Sequence, residues 1–370
     1  MEPNRPLDGI CVVDLSRLLP GPMCSWYLRG LGARVVRVES PDGADFLRVT
    51  PPFDESGTGV WFSTLHAGKE SVALNLKKPV DREAFLALLE EADVLLESFR
   101  PGVMARLGLD PVDLQARFPS LVICSITGFG QDGPLRDRPG HDLGFQALSG
   151  ALSMGTRRDG VVDVPGVQVA DVGGGALTAA LRIVAALMQR TKTGRGDWLD
   201  VSMTEGTLAM IAPHVASASA SGADPRPGGE ILTGASPQYR VYPCRDGKML
   251  SVAPLEPKFW AALQGAIGRE LEPDHAVLSE LFLTAARDEW VDRLGEACCE
   301  PVLELSEVAT HPHFVQRGAV SGAGLQKRVS QPFDGGAETA QLPSPQLGEH
   351  TIEALEKVGF DPKRLEEPNR

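Results

Sequence analysis

The sequence predicts a doubly wound α/β domain with a parallel sheet, followed by a smaller α+β domain. Three observations lead there. Short β-branched runs alternate with helix-length segments through the first 200 residues. The runs are apolar along their length, as strands covered on both faces are. At 370 residues the chain is also longer than one ordinary core carries.

Taken in order, residues 9–15 read as a first strand after a turn, and Pro20-Gly21-Pro22 breaks it. Residues 23–31 read as a helix and 33–39 as a second β-branched strand. Residues 71–76 and 94–99 repeat the strand pattern around an amphipathic helix at 81–91, and 121–126 is a further buried strand. Lys192-Thr193-Gly194-Arg195-Gly196 ends a helix, and 198–202 is a strand. A helix from Met203 to about Ala218 follows, with Pro213 as its kink or early end. Gly and Pro make 221–229 a linker. Residues 239–308 then form a compact α+β piece, with strands on either side of a turn at Arg245-Asp246-Gly247. A loose stretch at 318–347 leads to a terminal helix at 351–358. The expected boundaries are a large domain at 1–200, a linker helix and loop at 201–230, a small domain at 231–315, and a return linker with C-terminal segment at 316–370.

Acidic residues outnumber Lys and Arg by 49 to 36, a net charge of −13. With no global positive field, neither nucleic acid nor an anionic membrane is an expected partner, although a local basic pocket is compatible. No apolar run reads as long enough to span a membrane, and the opening residues hold no signal-like apolar region. The expectation is a soluble, cytoplasmic protein, and the terminal Pro368-Asn369-Arg370 is not a peroxisomal address. Six cysteines without a CxxC pair read as buried reduced thiols, not as a zinc site or disulfide scaffold. The turn after the first strand, Ser16-Arg17-Leu18-Leu19-Pro20-Gly21-Pro22-Met23, fits neither the dinucleotide fingerprint nor a Walker loop. NAD and ATP are therefore not expected.

Three residues stand out as acid-base candidates at helix starts. Asp171 precedes Val172-Gly173-Gly174-Gly175 and an expected helix at 176–189. By itself it reads as an N-cap. The glycines add a functional reading, since they let another molecule approach the backbone and leave N–H groups to meet a developing negative charge. His141 follows a Pro139-Gly140 turn at the start of the next helix, and its neutral ring can accept a proton; a lone histidine is otherwise structural. Glu256 precedes Pro257, the residue suited to a first helical position, so it is either a cap or a carboxylate that orients a histidine.

Taken together the motifs carry more. Leu7-Asp8-Gly9, Pro20-Gly21-Pro22, Leu31-Gly32-Ala33-Arg34-Val35-Val36-Arg37-Val38-Glu39, Ser71-Val72-Ala73-Leu74-Asn75-Leu76-Lys77 and Glu97-Ser98-Phe99-Arg100-Pro101-Gly102 occur in that order. Thr127-Gly128-Phe129-Gly130-Gln131, Val169-Ala170-Asp171-Val172-Gly173-Gly174-Gly175 and Leu347-Gly348-Glu349-His350-Thr351 complete the set. The chain resembles the family III CoA-transferases and, within them, the α-methylacyl-CoA racemases. That resemblance implies a Rossmann-like CoA-binding domain completed by the C-terminal residues 325–370, a small domain, and two chains interlocked as a homodimer. It implies an acyl-CoA thioester as substrate and no separate cofactor, coenzyme A being part of the substrate. His141 and Asp171 would be the two proton-transfer groups and Glu256 the partner of the histidine. Arg37, Lys69, Arg100 and Arg106 would meet the phosphates. Transferases commonly have a tyrosine where His141 stands and a run of glycines near residues 233–239, and this chain has neither. The resemblance thus favours an isomerase over two alternatives, a CoA-transferase with Asp171 as nucleophile and a non-catalytic acyl-CoA-binding protein.

Overall fold

Strands β1 (Cys11–Asp14), β2 (Arg34–Glu39), β3 (Glu70–Ala73), β4 (Val94–Glu97) and β5 (Val122–Thr127) are joined by α1 (Pro20–Gly30), α2 (Val60–His66), α3 (Pro79–Glu90), α4 (Val103–Arg106) and α5 (Pro111–Arg117). Helix α6 (Asp142–Ser149) follows, then the short pair β6 (Arg157–Arg158) and β7 (Val161–Val162). A π-helical stretch (Ala170–Leu177) runs directly into α7 (Thr178–Thr193), and β8 (Trp198–Ser202), α8 (Met203–Met210) and α9 (Ala212–Ser221) come next. This computed structural model describes residues 5–43, 45–155, 157–158, 161–322, 328–331 and 342–365. Much of the expected return linker and the terminal Pro368-Asn369-Arg370 lie outside those residues.

Six strands form one sheet in the order β3-β2-β1-β4-β5-β8, and every pairing is parallel. Alternate residues of each strand serve opposite cores, the two-residue period of an extended chain. Val12, Val94, Leu96, Val122 and Cys124 pack with residues of α1 and α7, whereas Val13, Val36, Leu95 and Ile123 pack with α3 and the C-terminal α15 (Thr351–Lys357). Both faces being covered, β4 and β5 are buried throughout. The edge strand β3 is closed by the chain's end. His350 N donates to Ser71 O at 2.9 Å, and Ala73 N donates to Thr351 Oγ1 at 3.0 Å.

Helix starts depart most from expectation. Pro20-Gly21-Pro22 opens α1, because a proline at the first helical position forfeits no hydrogen bond. Pro213 acts the same way. The chain breaks at Ile211 and restarts as α9, so α8 and α9 are two helices where one was expected. The helix over Ala170–Thr193 is longer than expected, and by length and composition it is apolar enough to cross a membrane. Half of that window is buried inside the protein, with Ala179, Ile183 and Leu187 in the core, so it packs as a core helix.

The described residues divide into two compact units. The larger takes in Met1–Ser149, Gly166–Met210 and Pro312–Arg370, and the smaller Gly150–Pro165 and Ile211–His311. The segment 150–165 thus falls outside the domain expected at 1–200, whereas α8, expected in the linker at 201–230, groups with the larger unit. In the smaller unit β9 (Arg240–Pro243), β10 (Met249–Val252) and β11 (Cys299–Pro301) form an antiparallel sheet in the order β11-β10-β9. Helices α10 (Pro257–Ile267), α11 (His275–Phe282) and α12 (Arg287–Arg293) pack against it, and α13 (Leu305–Val308) follows β11. Tyr242, Leu250, Phe282 and Trp290 centre its core. The larger unit resumes with α14 (Pro312–Gln316) and the pair β12 (Val320–Ser321) and β13 (Arg328–Val329) before α15.

Candidate active site

In an open parallel sheet, ligands bind beyond the carboxyl ends of the strands where the strand order reverses. Here the order reverses between β1 and β4. A cavity of about 410 Å³ opens there, lined by Arg17 and Leu18 after β1, Ser98 to Pro101 after β4, and Ile126 to Phe129 at the end of β5. His141 and Asp171 face the same cavity, with Phe145, Met203 and Pro20 as apolar wall.

His141 is exposed at the start of α6, where its carbonyl accepts from Gly144 N and Phe145 N. The first amides of that helix, those of Asp142 and Leu143, have no acceptor among the described residues. Asp142 joins the two candidate acid-base residues. Its Oδ1 accepts from Ala170 N at 2.8 Å and from Asp171 N at 3.0 Å, and its Oδ2 accepts from Gln146 Nε2 at 2.6 Å. One carboxylate therefore caps the helix that carries Asp171 while sitting beside His141 in the chain. The His141-Asp142 pair was visible in the sequence, but nothing local signalled that Asp142 reaches a segment 28 residues away.

Asp171 is not itself a cap. The helix begins at Ala170, and the Asp171 side chain stands in its first turn, half-buried in the cavity wall. Burial, and next the charge of Asp142, push its pKa up from the usual carboxylate range to about 7. A carboxyl poised there both gives and takes a proton near neutrality. The three glycines that follow serve packing, and this corrects the expected exposure of their N–H groups. A Cβ on Gly173 would stand 2.2 Å from Met210 Cε, one on Gly174 would stand 2.4 Å from Met203 O, and one on Gly175 would stand 2.9 Å from Met203 Cγ. They are buried, and they let α8 lie directly on the helix that bears Asp171.

The expected phosphate contacts separate into inner and outer residues. Arg37 is 1% exposed; it donates to Asp45 Oδ2 at 2.6 Å and to Ser16 O at 2.8 Å. Lys69 is 3% exposed; it donates to Ser25 Oγ at 2.7 Å and to Pro22 O at 3.0 Å, with Asp14 at 3.8 Å. Burial pushes the Lys69 ammonium down to about 7. Neither offers a charge at the surface, because both are enclosed: Lys69 is held by its neighbours, and Arg37 turns its two terminal nitrogens to internal acceptors while its Nε stands 3.6 Å from Glu39 Oε2. Arg100 is exposed and lines the cavity. Arg106 is exposed beside Gly102 and does not line it. Three arginines that sequence reasoning passed over, Arg17, Arg136 and Arg138, line it with Arg100. The basic pair just before Pro139-Gly140-His141 was the available signal. Glu256 belongs to the smaller unit. It is exposed at the N-cap of α10, and its side chain makes no capping hydrogen bond.

A second cavity of about 280 Å³ shares Arg100, Pro101 and Arg136 with the first, and Glu97 lines it. Burial is the main cause that pushes the Glu97 carboxyl up to about 7, against hydrogen bonds from Ser125 and Phe99 N. Among the described residues no group of three or more His, Cys, Asp or Glu side chains is placed to hold a metal ion.

Comparison with known proteins agrees with this fold. The family model described as CoA-transferase family III matches residues 7–351. The chain is similar to the alpha-methylacyl-CoA racemase of Homo sapiens, 34% identical over 98% of this chain and 96% of the relative. It is also similar to the acetyl-CoA:oxalate CoA-transferase of Acetobacter aceti, 41% identical over 60% of this chain and 57% of the relative. Among solved structures, a CAIB/BAIF family protein from Brucella suis superposes with a TM-score of 0.81 at 28% identity, covering 96% of this chain and all of that one. On the strength of that full-length match, the chain belongs to CoA-transferase family III.

Proposed function

We propose that the protein is a racemase that interconverts (R)- and (S)-2-methylacyl-CoA thioesters, with no cofactor beyond the coenzyme A of its substrate. The observation that carries this reading is that His141 and Asp171 face one cavity, tied together through Asp142, among four arginines. Inverting the α-carbon needs a base on each face. One residue takes the proton to leave an enolate, and the other returns a proton from the opposite side. Positioned acid-base groups contribute roughly 10²–10⁴-fold. The unpaired first amides of α6, those of Asp142 and Leu143, suit the enolate oxygen. Arg17, Arg100, Arg136 and Arg138 suit the phosphates of coenzyme A. Glu256 would reach His141 from the partner subunit of an interlocked dimer.

The test is proton NMR of an (R)-2-methylacyl-CoA in deuterated buffer without an acceptor acid. Loss of the α-proton signal with appearance of the S epimer is the expected result. An inert α-proton across several acyl groups would reject the racemase. The likeness to an oxalate CoA-transferase supports a second reading, in which Asp171 attacks the thioester and carries the acyl group. Hydroxylamine would then trap an acyl-Asp171 adduct, which the racemase does not form.

The proposal also predicts a pH profile. Asp171 must be ionised to remove a proton and protonated to return one. Removal from the epimer facing Asp171 should therefore fall about tenfold per unit below a midpoint near 7. Asp142→Asn deletes the neighbouring charge, so the midpoint should move to lower pH; initial exchange rates of each epimer against pH measure it. An unmoved midpoint would leave burial as the sole cause of the shift.

A further inference from the structure

The cavity lip at residues 16–18 has an uncommon backbone. Leu18 has φ +62°, in the left-handed region that residues with a Cβ rarely enter. Packing into a core does not explain it, since the side chain is 44% exposed and lines the cavity. Strain of this kind persists where the surroundings over-determine it, and it gathers at ligand sites. Here the surroundings are visible. Leu18 N donates at 3.3 Å to Asp45 Oδ2, the same oxygen that takes Arg37 Nη2 at 2.6 Å. Arg37 Nη1 holds Ser16 O at 2.8 Å, and Asp14 Oδ1 holds Ser16 N at 2.8 Å. Gly21 closes the turn, as a Cβ there would stand 2.1 Å from Ser16 Cβ. Arg37 and Asp45 are both buried.

The lip also adjoins the reacting end of the cavity. Pro20, two residues on, stands against Gly175, four residues from Asp171 on the same helical stretch; a Cβ on Gly175 would lie 3.2 Å from Pro20 Cβ. The arginines of the rim suit the phosphates, and Leu18 is an apolar group that lines the same cavity as Asp171, two residues before the Pro20 that meets its helix.

We propose that Leu18 is a specificity-determining residue whose side chain packs against the acyl group of the thioester, and that the buried Arg37–Asp45 pair is the positioning device that holds it there. This rests on the acyl-CoA reading and adds which residue senses the acyl group. It also gives Arg37 a role from inside the protein, in place of the phosphate contact expected of it.

Titration calorimetry of the full-length protein with free CoA and with a 2-methylacyl-CoA tests this without turnover. Leu18→Ala and Leu18→Gly should each weaken acyl-CoA binding about tenfold and leave free CoA within about twofold. Leu18→Gly also relieves the left-handed backbone, so it should melt no lower than wild type. Asp45→Asn should show the same selective loss with Leu18 intact. The proposal is overturned if both affinities fall together, if neither Leu18 variant changes the ratio, or if wild type binds the acyl ester no better than CoA. An absent α-proton exchange in wild type would instead reject the racemase reading and leave this ratio to be judged on its own.

Discussion

Asp171→Asn is expected to stop racemisation, by a factor of about 10²–10⁴, while the protein stays folded. The amide has nearly the volume of the carboxyl and cannot carry the proton. The other base is untouched. In deuterated buffer, single-turnover exchange should therefore persist for the epimer that faces His141 and vanish for the other, and His141→Ala should show the reverse preference. Equal, mild losses on both epimers would defeat the two-base assignment. Stability gives an independent sign. A carboxyl raised from its usual range to about 7 penalises the folded state once ionised, and the penalty grows as pH rises from about 4 to about 7. Asp171 is not the N-cap of its helix, so the substitution removes no cap that would offset this. Above pH 7 the Asn variant should melt at or above wild type. A clearly lower melting temperature would mean that the carboxylate makes a stabilising contact.

The second large effect is far from any charge. Gly206→Ala places a Cβ 2.2 Å from Gly174 O and 2.7 Å from Gly174 Cα. Both are backbone atoms of a neighbouring helix and cannot swing aside as a side-chain tip would. Overpacking of a core costs typically 1–3 kcal/mol, and this site belongs at or above the upper end. Melting should fall by roughly 6–12 °C. Activity should fall further than stability alone explains, because the stretch that must move carries Asp171. Gly265→Ala is the control. Gly265 lies inside α10 with nothing within 4 Å of an added Cβ, so the change should stabilise by about 1 kcal/mol through helix propensity. Melting curves and initial rates on the three proteins decide it, and equal melting of Gly206→Ala and wild type would show that α8 is not pressed onto the π-helical stretch.

These two sites mark where sequence reading stopped. Three glycines after Asp171 look like a loop, because glycine costs a helix about 1 kcal/mol each in isolation. The helix nonetheless starts at Ala170, since Gly173 to Gly175 face α8 at a distance only glycine allows. A partner nearly 30 residues on therefore decides the local structure around Asp171.

The amino-acid sequence by itself determined the strands and their burial, the absence of a nucleotide loop after β1, and the candidacy of His141 and Asp171. Each depends on neighbours within a few residues, on a two-residue period or on a short motif. The tertiary structure alone decided which charges are free. Arg37 on β2 and Lys69 just before β3 look no different in sequence from Arg100 and Arg138. Burial and internal acceptors enclose the first two, whereas the loops at the switch point leave the other two open to the cavity. The bridge from Asp142 to the amides of Ala170 and Asp171 is of the same kind. Exposure and pairing are set by which distant segments come to lie against a residue.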